Sequence, residues 1–412
     1  MESSADAVVL GAGIVGVSVA VHLQKRGRAT VLVDRRGPAE ETSFGNAGLV
    51  QREGVYPYGF PHDFGALLRY GFNRTIDAHY HPTAIPRLAP FLWKYWHHSR
   101  PARHRAIAHL YAKLIEHCIA EHDALAAEAG AADLFRRTGW MKVFRTERER
   151  DLRFAEAERW RAEFGIASRL LDKKSFEKAE PHVAPVVVGA LHWTDPISAV
   201  DPQEVSLAYL GLFRKLGGRF VQGNAASLEP GWSVRTAEGT VAARDVVVAL
   251  GPWAEVATRR LGYDLPLAVK RGYHMHYRAA GAAVLNHPMI DTERGYFLAP
   301  MLRGIRLTTG AEFAMRDGMK TPVQLNRAEP IARELFPLGE RLDPDPWMGS
   351  RPCTPDMMPV IGAAPRHRNL WFAFGHAHHG FTLGPVTGRL IAEMVTGEPP
   401  FVDPSPYRAE RF

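Results

Sequence analysis

Near the N-terminus, a short apolar strand from Ala7 to Leu10 runs into Gly11-Ala12-Gly13-Ile14-Val15-Gly16, and a helical pattern follows through Gln24. A second strand, Thr30 to Val33, ends in Asp34, eighteen positions after Gly16. Each part has a physical task in holding a dinucleotide. Gly11 permits a tight turn, Gly13 lets the backbone approach a pyrophosphate, and Gly16 allows close packing of helix on strand. The helix N-terminus, with Ile14 and Val15 in its first turn, offers free N–H groups and a partial positive charge to phosphates. Asp34 stands near the ~20-residue spacing of the carboxylate that accepts from ribose hydroxyls, with Arg35 beside it. Strand, turn, helix, strand and acid together make a complete βαβ nucleotide site.

Three further segments carry the small residues and turns that wrap a flat cofactor. The first is the loop Glu41-Thr42-Ser43-Phe44-Gly45-Asn46-Ala47-Gly48, leading to Leu49. The second is the apolar strand Asp245-Val246-Val247-Val248, which ends at Ala249-Leu250-Gly251-Pro252-Trp253. The third is a strand from Asn369 to Phe374 followed by Gly375-His376-Ala377-His378-His379-Gly380-Phe381-Thr382-Leu383-Gly384 and a helix. His376, His378 and His379 suggest a metal, but no further ligand stands at a known spacing, so no metal is expected.

On these motifs, and on Arg351-Pro352-Cys353-Thr354-Pro355-Asp356, the chain resembles the D-amino-acid oxidase superfamily of FAD-dependent oxidoreductases. It is most similar to the D-amino-acid dehydrogenase and glycine oxidase branches, over nearly its whole length. The resemblance implies an α/β fold, with a Rossmann-like FAD-binding domain and a substrate domain built on an antiparallel sheet plus helices. It implies cofactor contacts at Thr42, Ser43, Asn46, Ala47, Gly48, Leu49, Gly251, Trp253, Gly380, Phe381, Thr382 and Leu383. It also implies the activity: hydride transfer from the α-carbon of a small amino acid to flavin N5, with electrons passed to a quinone, another respiratory-chain acceptor or oxygen. Arg351 matches the family position that clamps the substrate carboxylate, and Tyr296 the tyrosine that adds a hydrogen bond to it. His378 stands where the glycine oxidase branch has an arginine, as a weaker partner titrating near pH 7. Gly349 occupies the position of the cysteine that binds flavin in some relatives, so FAD is expected to be non-covalent. Arg271 is open to two readings: a second cation over the pocket, or a solvated residue on the opposite strand face.

The elements that must position these groups follow from apolar periodicity. Helices are expected from His104 to Gly130, Glu147 to Phe164 and Thr321 to Phe336, the last with Pro322 in its first turn. Strands are expected at Gly139 to Phe144, Leu267 to Tyr277, Tyr296 to Pro300 and Ile305 to Thr309. The cofactor motifs recur at the start, middle and end, so the FAD-binding part is expected to comprise 1–50, 181–266 and 349–412, and the substrate part 51–180 and 267–348. The aromatic segment from Val50 to Phe64 is read as an active-site lid.

Composition narrows the partners. At 412 residues and 46% hydrophobic side chains, the chain buries a large core, and size favours two lobes. The net charge of +7 is spread among acids, as in the alternating run Arg145 to Arg153, so nucleic acid is not an expected partner. Only Cys118 and Cys353 occur, which suits a reducing compartment. The apolar run from Ala7 to Val21 lacks a basic flank and is broken by the nucleotide-site glycines, which argues against a signal peptide. A cytoplasmic protein, with at most peripheral contact to the inner membrane, is expected. A flavoprotein oxidase of glycine, sarcosine, another secondary amine or D-hydroxyproline, and a partner-dependent flavoprotein subunit, are the competing readings; an NAD-dependent enzyme leaves the C-terminal motif unexplained.

Overall fold

The computed structural model describes residues 2–412. Its seven-stranded sheet is built around the strand Glu2–Leu10, which lies parallel to Thr30–Asp34 on one side and to Gly239–Val248 on the other. Arg219–Gln222 and Leu370–Phe374 extend the parallel set, and Val360–Ala363 closes it as an antiparallel strand. Val8, Leu10, Val31, Val33, Val246 and Val248 are all buried. Their unbroken apolar runs reflect a parallel sheet covered on both faces.

Helices Ile14–Lys25 and Gly380–Thr396 lie against each other, although their sequences are widely separated. Glycines permit the contact: a Cβ on Gly384 would come within 2.9 Å of Ile14, and one on Gly388 within 2.6 Å of the Ser18 carbonyl carbon. The C-terminal helix is thereby fixed beside the nucleotide turn, with its N-terminus directed to the same cleft.

The larger sheet is organised by the long strand Ala268–Ala279, which pairs antiparallel with Gly304–Thr309, Ala311–Phe313, Leu338–Arg341 and Trp347–Cys353. Tyr296–Met301, Met289–Asp291, Trp140–Phe144, Gly189–Trp193 and Ser168–Asp172 continue it. The antiparallel expectation holds for most pairs. Two are parallel: Met289–Asp291 with Trp140–Phe144, and Ala311–Phe313 with Ala78–Tyr80.

Gly189–Trp193 and Trp347–Cys353 both belong to this larger sheet, so the boundaries drawn at 181 and 349 divide the chain differently from its hydrogen bonding. The helix expected from His104 to Gly130 is two helices, Pro101–Ile115 and Cys118–Ala129. An apolar stripe persists through a short break that preserves its face, so periodicity cannot reveal the interruption. Pro322 lies just before the helix Val323–Leu335, at its cap.

Candidate functional site: a dinucleotide cradle joined to a cationic pocket

The strand Glu2–Leu10 must turn abruptly to start its helix, and Gly11 makes the turn at φ 107°, a conformation costly for any L side chain. A Cβ on Gly11 would lie 2.4 Å from the Ala249 carbonyl oxygen, and one on Gly16 would lie 1.8 Å from the oxygen of Gly11. The turn is already braced by polar groups. The Asp34 carboxylate accepts from the Ala12 N–H at 2.7 Å, and the Ser43 hydroxyl accepts from the Ile14 N–H at 3.0 Å. Thr42 donates to the Ser350 carbonyl at 2.9 Å, and Asn46 accepts from the Gly48 N–H at 2.8 Å. Arg35 stacks over the Trp253 ring, 4.5 Å from its centroid.

These groups border one cavity of about 1220 Å³. Ordinary small-ligand pockets occupy roughly 300 to 1,000 Å³, so this space suits a dinucleotide with a substrate beside it. Of the expected cofactor contacts, Gly11, Gly13, Ile14, Val15, Asp34, Arg35, Thr42, Ser43, Asn46, Ala47, Leu49, Gly251, Trp253, Gly380 and Phe381 line it. Gly16, Gly48, Thr382 and Leu383 stand behind its wall. Thr382 donates to the Leu49 carbonyl and accepts from the Gln51 N–H, tying the loop to the C-terminal helix, and Leu383 is core. The fit to FAD is good: a glycine turn, a ribose-side carboxylate, and the N-terminus of helix Gly380–Thr396 at the far end.

At that end the wall is formed by two antiparallel strands on which Lys270 and Arg351 stand directly opposite each other. The Arg351 guanidinium crosses over Gly272, donating through Nη1 to the carbonyls of Arg271 and Gly310, both at 3.2 Å. Gly272 makes this possible, because a Cβ there would meet both terminal nitrogens at 2.5 Å. Among the described residues no carboxylate forms an ion pair with Arg351, and burial works against its charge. A desolvated cation without a partner is costly unless a ligand supplies the counter-charge.

Lys270, which sequence reasoning passed over, is more fully enclosed. Its ammonium donates to the Tyr95 hydroxyl at 2.8 Å and lies 4.0 Å from that ring's centroid, and burial lowers its pKa to about 8. Tyr95 in turn donates to the Tyr58 carbonyl at 2.6 Å. His104 bonds the Pro57 carbonyl and Ser99 accepts from the Phe60 N–H, so the expected lid segment is pinned over the cavity by helical residues. The Tyr58 ring lies against His378, with centroids 4.4 Å apart.

His378 lines the same cavity, but not as a group that titrates near pH 7. Burial, then Arg351 and Lys270, hold its pKa well below the ordinary imidazole value, so it stays neutral. The neighbouring histidines also border the cavity but are held within the chain: His376 bonds the Thr387 hydroxyl at 2.9 Å, and His379 the Tyr111 hydroxyl at 2.9 Å.

Arg271 is neither a pocket cation nor a solvated residue. It is fully buried, paired with Glu312 at 2.6 Å, and donates to the carbonyls of Gly318 and Met319 at 2.7 and 2.8 Å. Side chains alternate along a strand, so its neighbour Lys270 takes the cavity face. His79, His81 and Glu312 lie close enough to share an ion, but Glu312 is already satisfied by Arg271, whose charge opposes a metal there.

Tyr296 is likewise placed apart from Arg351. It borders the cavity, but its ring belongs to a core cluster and its hydroxyl donates to Asp291 at 3.2 Å. Cys353 is a buried thiol beside Lys270, and Gly349 lines the cavity where a flavin-linking cysteine would stand.

The comparisons agree with this construction. A D-amino acid dehydrogenase of Rhizobium johnstonii is 30% identical, over 96% of this chain and 97% of its own. A D-amino-acid oxidase of Bradyrhizobium diazoefficiens is 28% identical over the full length of both. Glycine oxidase from Geobacillus kaustophilus superposes with a TM-score of 0.74 at 22% identity, covering 100% of this chain and 99% of that one. The pattern described as FAD dependent oxidoreductase matches residues 6–394, which contain the glycine turn, the cationic wall and nearly all of the C-terminal helix; the chain belongs to that family.

Proposed function

We propose that this protein oxidises an amino acid at the carbon bearing the amino group, with a D-amino acid as its main substrate class. The observation that carries this reading is Arg351: a half-buried guanidinium on the cavity wall with no carboxylate partner among the described residues, in a cavity continuous with the FAD cradle. Its free N–H groups match a carboxylate in two parallel charge-assisted bonds.

When bound, FAD supplies the two-electron acceptor that takes the Cα hydride, leaving an imine that water hydrolyses to a 2-oxo acid and ammonia. The chain's part is positional. Arg351 fixes the carboxylate and so the direction of the Cα–H bond. The neutral imidazole of His378 adds no further positive charge to the pocket, and the substrate reacts as the free amine, its ammonium proton having gone to solvent rather than to this weakly basic ring. The pinned segment from Gly54 to Pro61 shields the site from water. FAD is held non-covalently, since Gly349 offers no nucleophile and Cys353 faces the core.

Electrons then pass to a quinone, another respiratory-chain acceptor or oxygen. No helix among the described residues is long and apolar enough to cross a membrane. The short helix Phe64–Gly71 nevertheless exposes Phe64, Leu67 and Leu68, with Phe72 exposed just after it, and this supports peripheral contact with the inner membrane for a protein we assign to the cytoplasm.

Anaerobic titration of the purified yellow protein tests the reading. D- and L-amino acids, N-methyl amino acids and D-hydroxyproline are compared by flavin bleaching. Bleaching by a D-amino acid supports it; bleaching only by amines without a carboxylate overturns it. Acid precipitation should release intact FAD, and flavin retained on the denatured chain would refute non-covalent binding.

A further inference from the structure

The pocket contains more positive charge than one amino-acid carboxylate requires. Lys270 and Arg351 are directly opposed on neighbouring strands, an arrangement that is destabilising for like charges even on a surface. Here Lys270 is buried and Arg351 half-buried, and among the described residues neither has a carboxylate partner. The polar groups around the Lys270 ammonium are the Tyr95 hydroxyl, Met357 sulfur, Cys353 thiol and the neutral His378 imidazole, and the charged neighbour is Arg351. The Tyr95 and Phe313 rings offset part of the charge through their faces, at 4.0 and 5.5 Å. With a pKa of about 8, the amine still carries its charge at neutral pH.

The two head groups also diverge. Arg351 reaches across Gly272 toward Gly310, while Lys270 reaches the other way along the wall, toward Tyr95 and Met357. A single carboxylate gripped by the Arg351 fork therefore leaves Lys270 uncompensated. An ammonium has three N–H donors, and Lys270 uses one on a hydroxyl and one weakly on sulfur. The third is available to a ligand.

Resting on the amino-acid reading above, we propose that the site selects a dianionic substrate: an amino acid with a side-chain carboxylate, its α-carboxylate on Arg351 and its second carboxylate on Lys270. Lys270 is then the specificity-determining residue, and acidic amino acids are preferred over their neutral amides, which have nearly the same shape.

The test compares the wild-type holoenzyme with Lys270→Gln and Lys270→Met, both expected to retain FAD and a native flavin spectrum because they remove an unpaired buried charge. Two readouts are taken: kcat/KM for aspartate and glutamate against asparagine and glutamine, and perturbation of the oxidised flavin spectrum by the non-reacting probes malonate and succinate against acetate and propionate. Wild type should favour the dianions, and each variant should lose roughly a hundredfold for dianions while changing less than about threefold for monoanions. Binding of the dianionic probes should weaken above about pH 8 in wild type alone, as Lys270 deprotonates. Equal losses for acidic and neutral ligands, or dianion binding unchanged in the variants, would overturn the proposal. The probe arm needs no turnover. Lys270-dependent dianion binding without oxidation of any amino acid would refute the amino-acid reading while supporting the selection of a dianion.

Discussion

The two ends of the cavity achieve their purpose by opposite means. At the cofactor end the polar groups are satisfied within the chain: Asp34 holds the Ala12 N–H and Ser43 holds the Ile14 N–H, while glycines provide space. At the substrate end the half-buried Arg351 and the buried Lys270 have no carboxylate partners among the described residues, and His378 is kept neutral beside them. The first end is shaped by backbone sterics and persists without a ligand. The second stores unfavourable charge that a ligand relieves, so its binding energy is expected to be sensitive to single side chains.

The sharpest break of that contrast is steric. Gly16→Val places a side chain where even a Cβ would lie 1.8 Å from the Gly11 oxygen, so the turn cannot close. We expect no FAD retained after reconstitution, measured as the flavin-to-protein absorbance ratio; near-stoichiometric FAD would contradict the account of the cradle.

Next in size is Gly272→Ala, which acts only at the other end. Its methyl group would meet the Arg351 guanidinium at 2.5 Å and displace it. Flavin content should be unchanged, whereas kcat/KM for amino acids should fall on the order of a hundredfold, about 2.7 kcal/mol. An equal loss of FAD would show that the two ends are not separable.

Asp34→Ala should weaken FAD binding by about 1.5 to 3 kcal/mol, the usual range for a hydrogen bond to a charged group. The loss includes the brace on Ala12 as well as the ribose contact. Titration of the apoprotein with FAD measures it, and an unchanged dissociation constant would remove Asp34 from the site.

The one effect read on stability rather than on binding concerns Glu53, buried on the cavity wall. One of its oxygens accepts from Gln51 and Trp140, both at 2.8 Å, while the other has no partner among the described residues. Burial raises its pKa from 4.5 to about 7. Between those values the folded protein retains a proton that the unfolded chain has released, so stability falls as pH rises from 4.5 through 7. Glu53→Gln removes that penalty. It should raise the melting temperature at pH 8, by up to roughly 3 kcal/mol of stability, and leave it nearly unchanged at pH 4.5. A uniform shift at both pH values would assign Glu53 a purely packing role.

What was legible in the sequence follows the same division. The nucleotide turn was legible because its requirements fall on residue type: only glycine fits at Gly11 and Gly16, at fixed distances along one short segment. The helix Glu147–Phe164 was legible for a related reason, being bounded by Thr146, whose hydroxyl accepts from the Glu149 N–H, and by Gly165 in a left-handed conformation.

The substrate end depends on which strand face a residue occupies, and a shift of one residue reverses the answer. Arg271 was singled out while the pocket belongs to Lys270. Tyr296 was assigned to the carboxylate while its hydroxyl points into the core toward Asp291. Arg351 was found from its motif, but the absence of a counter-ion, which gives it meaning, arises only from folding. Strict alternation along the strand Ala268–Ala279 would have marked Lys270 as an alternative to Arg271, without deciding between them.

The central claim is that Arg351 clamps a substrate carboxylate in front of the FAD site. It is tested most directly by anaerobic single-turnover flavin reduction in Arg351→Lys, with an amino-acid substrate and with the corresponding amine lacking the carboxylate. Lysine keeps the charge but not the planar fork. The account predicts a native flavin spectrum, an apparent dissociation constant for the amino acid raised at least roughly tenfold, about 1.4 kcal/mol, and no change for the amine. Amino-acid reduction as tight and fast as in wild type would contradict it.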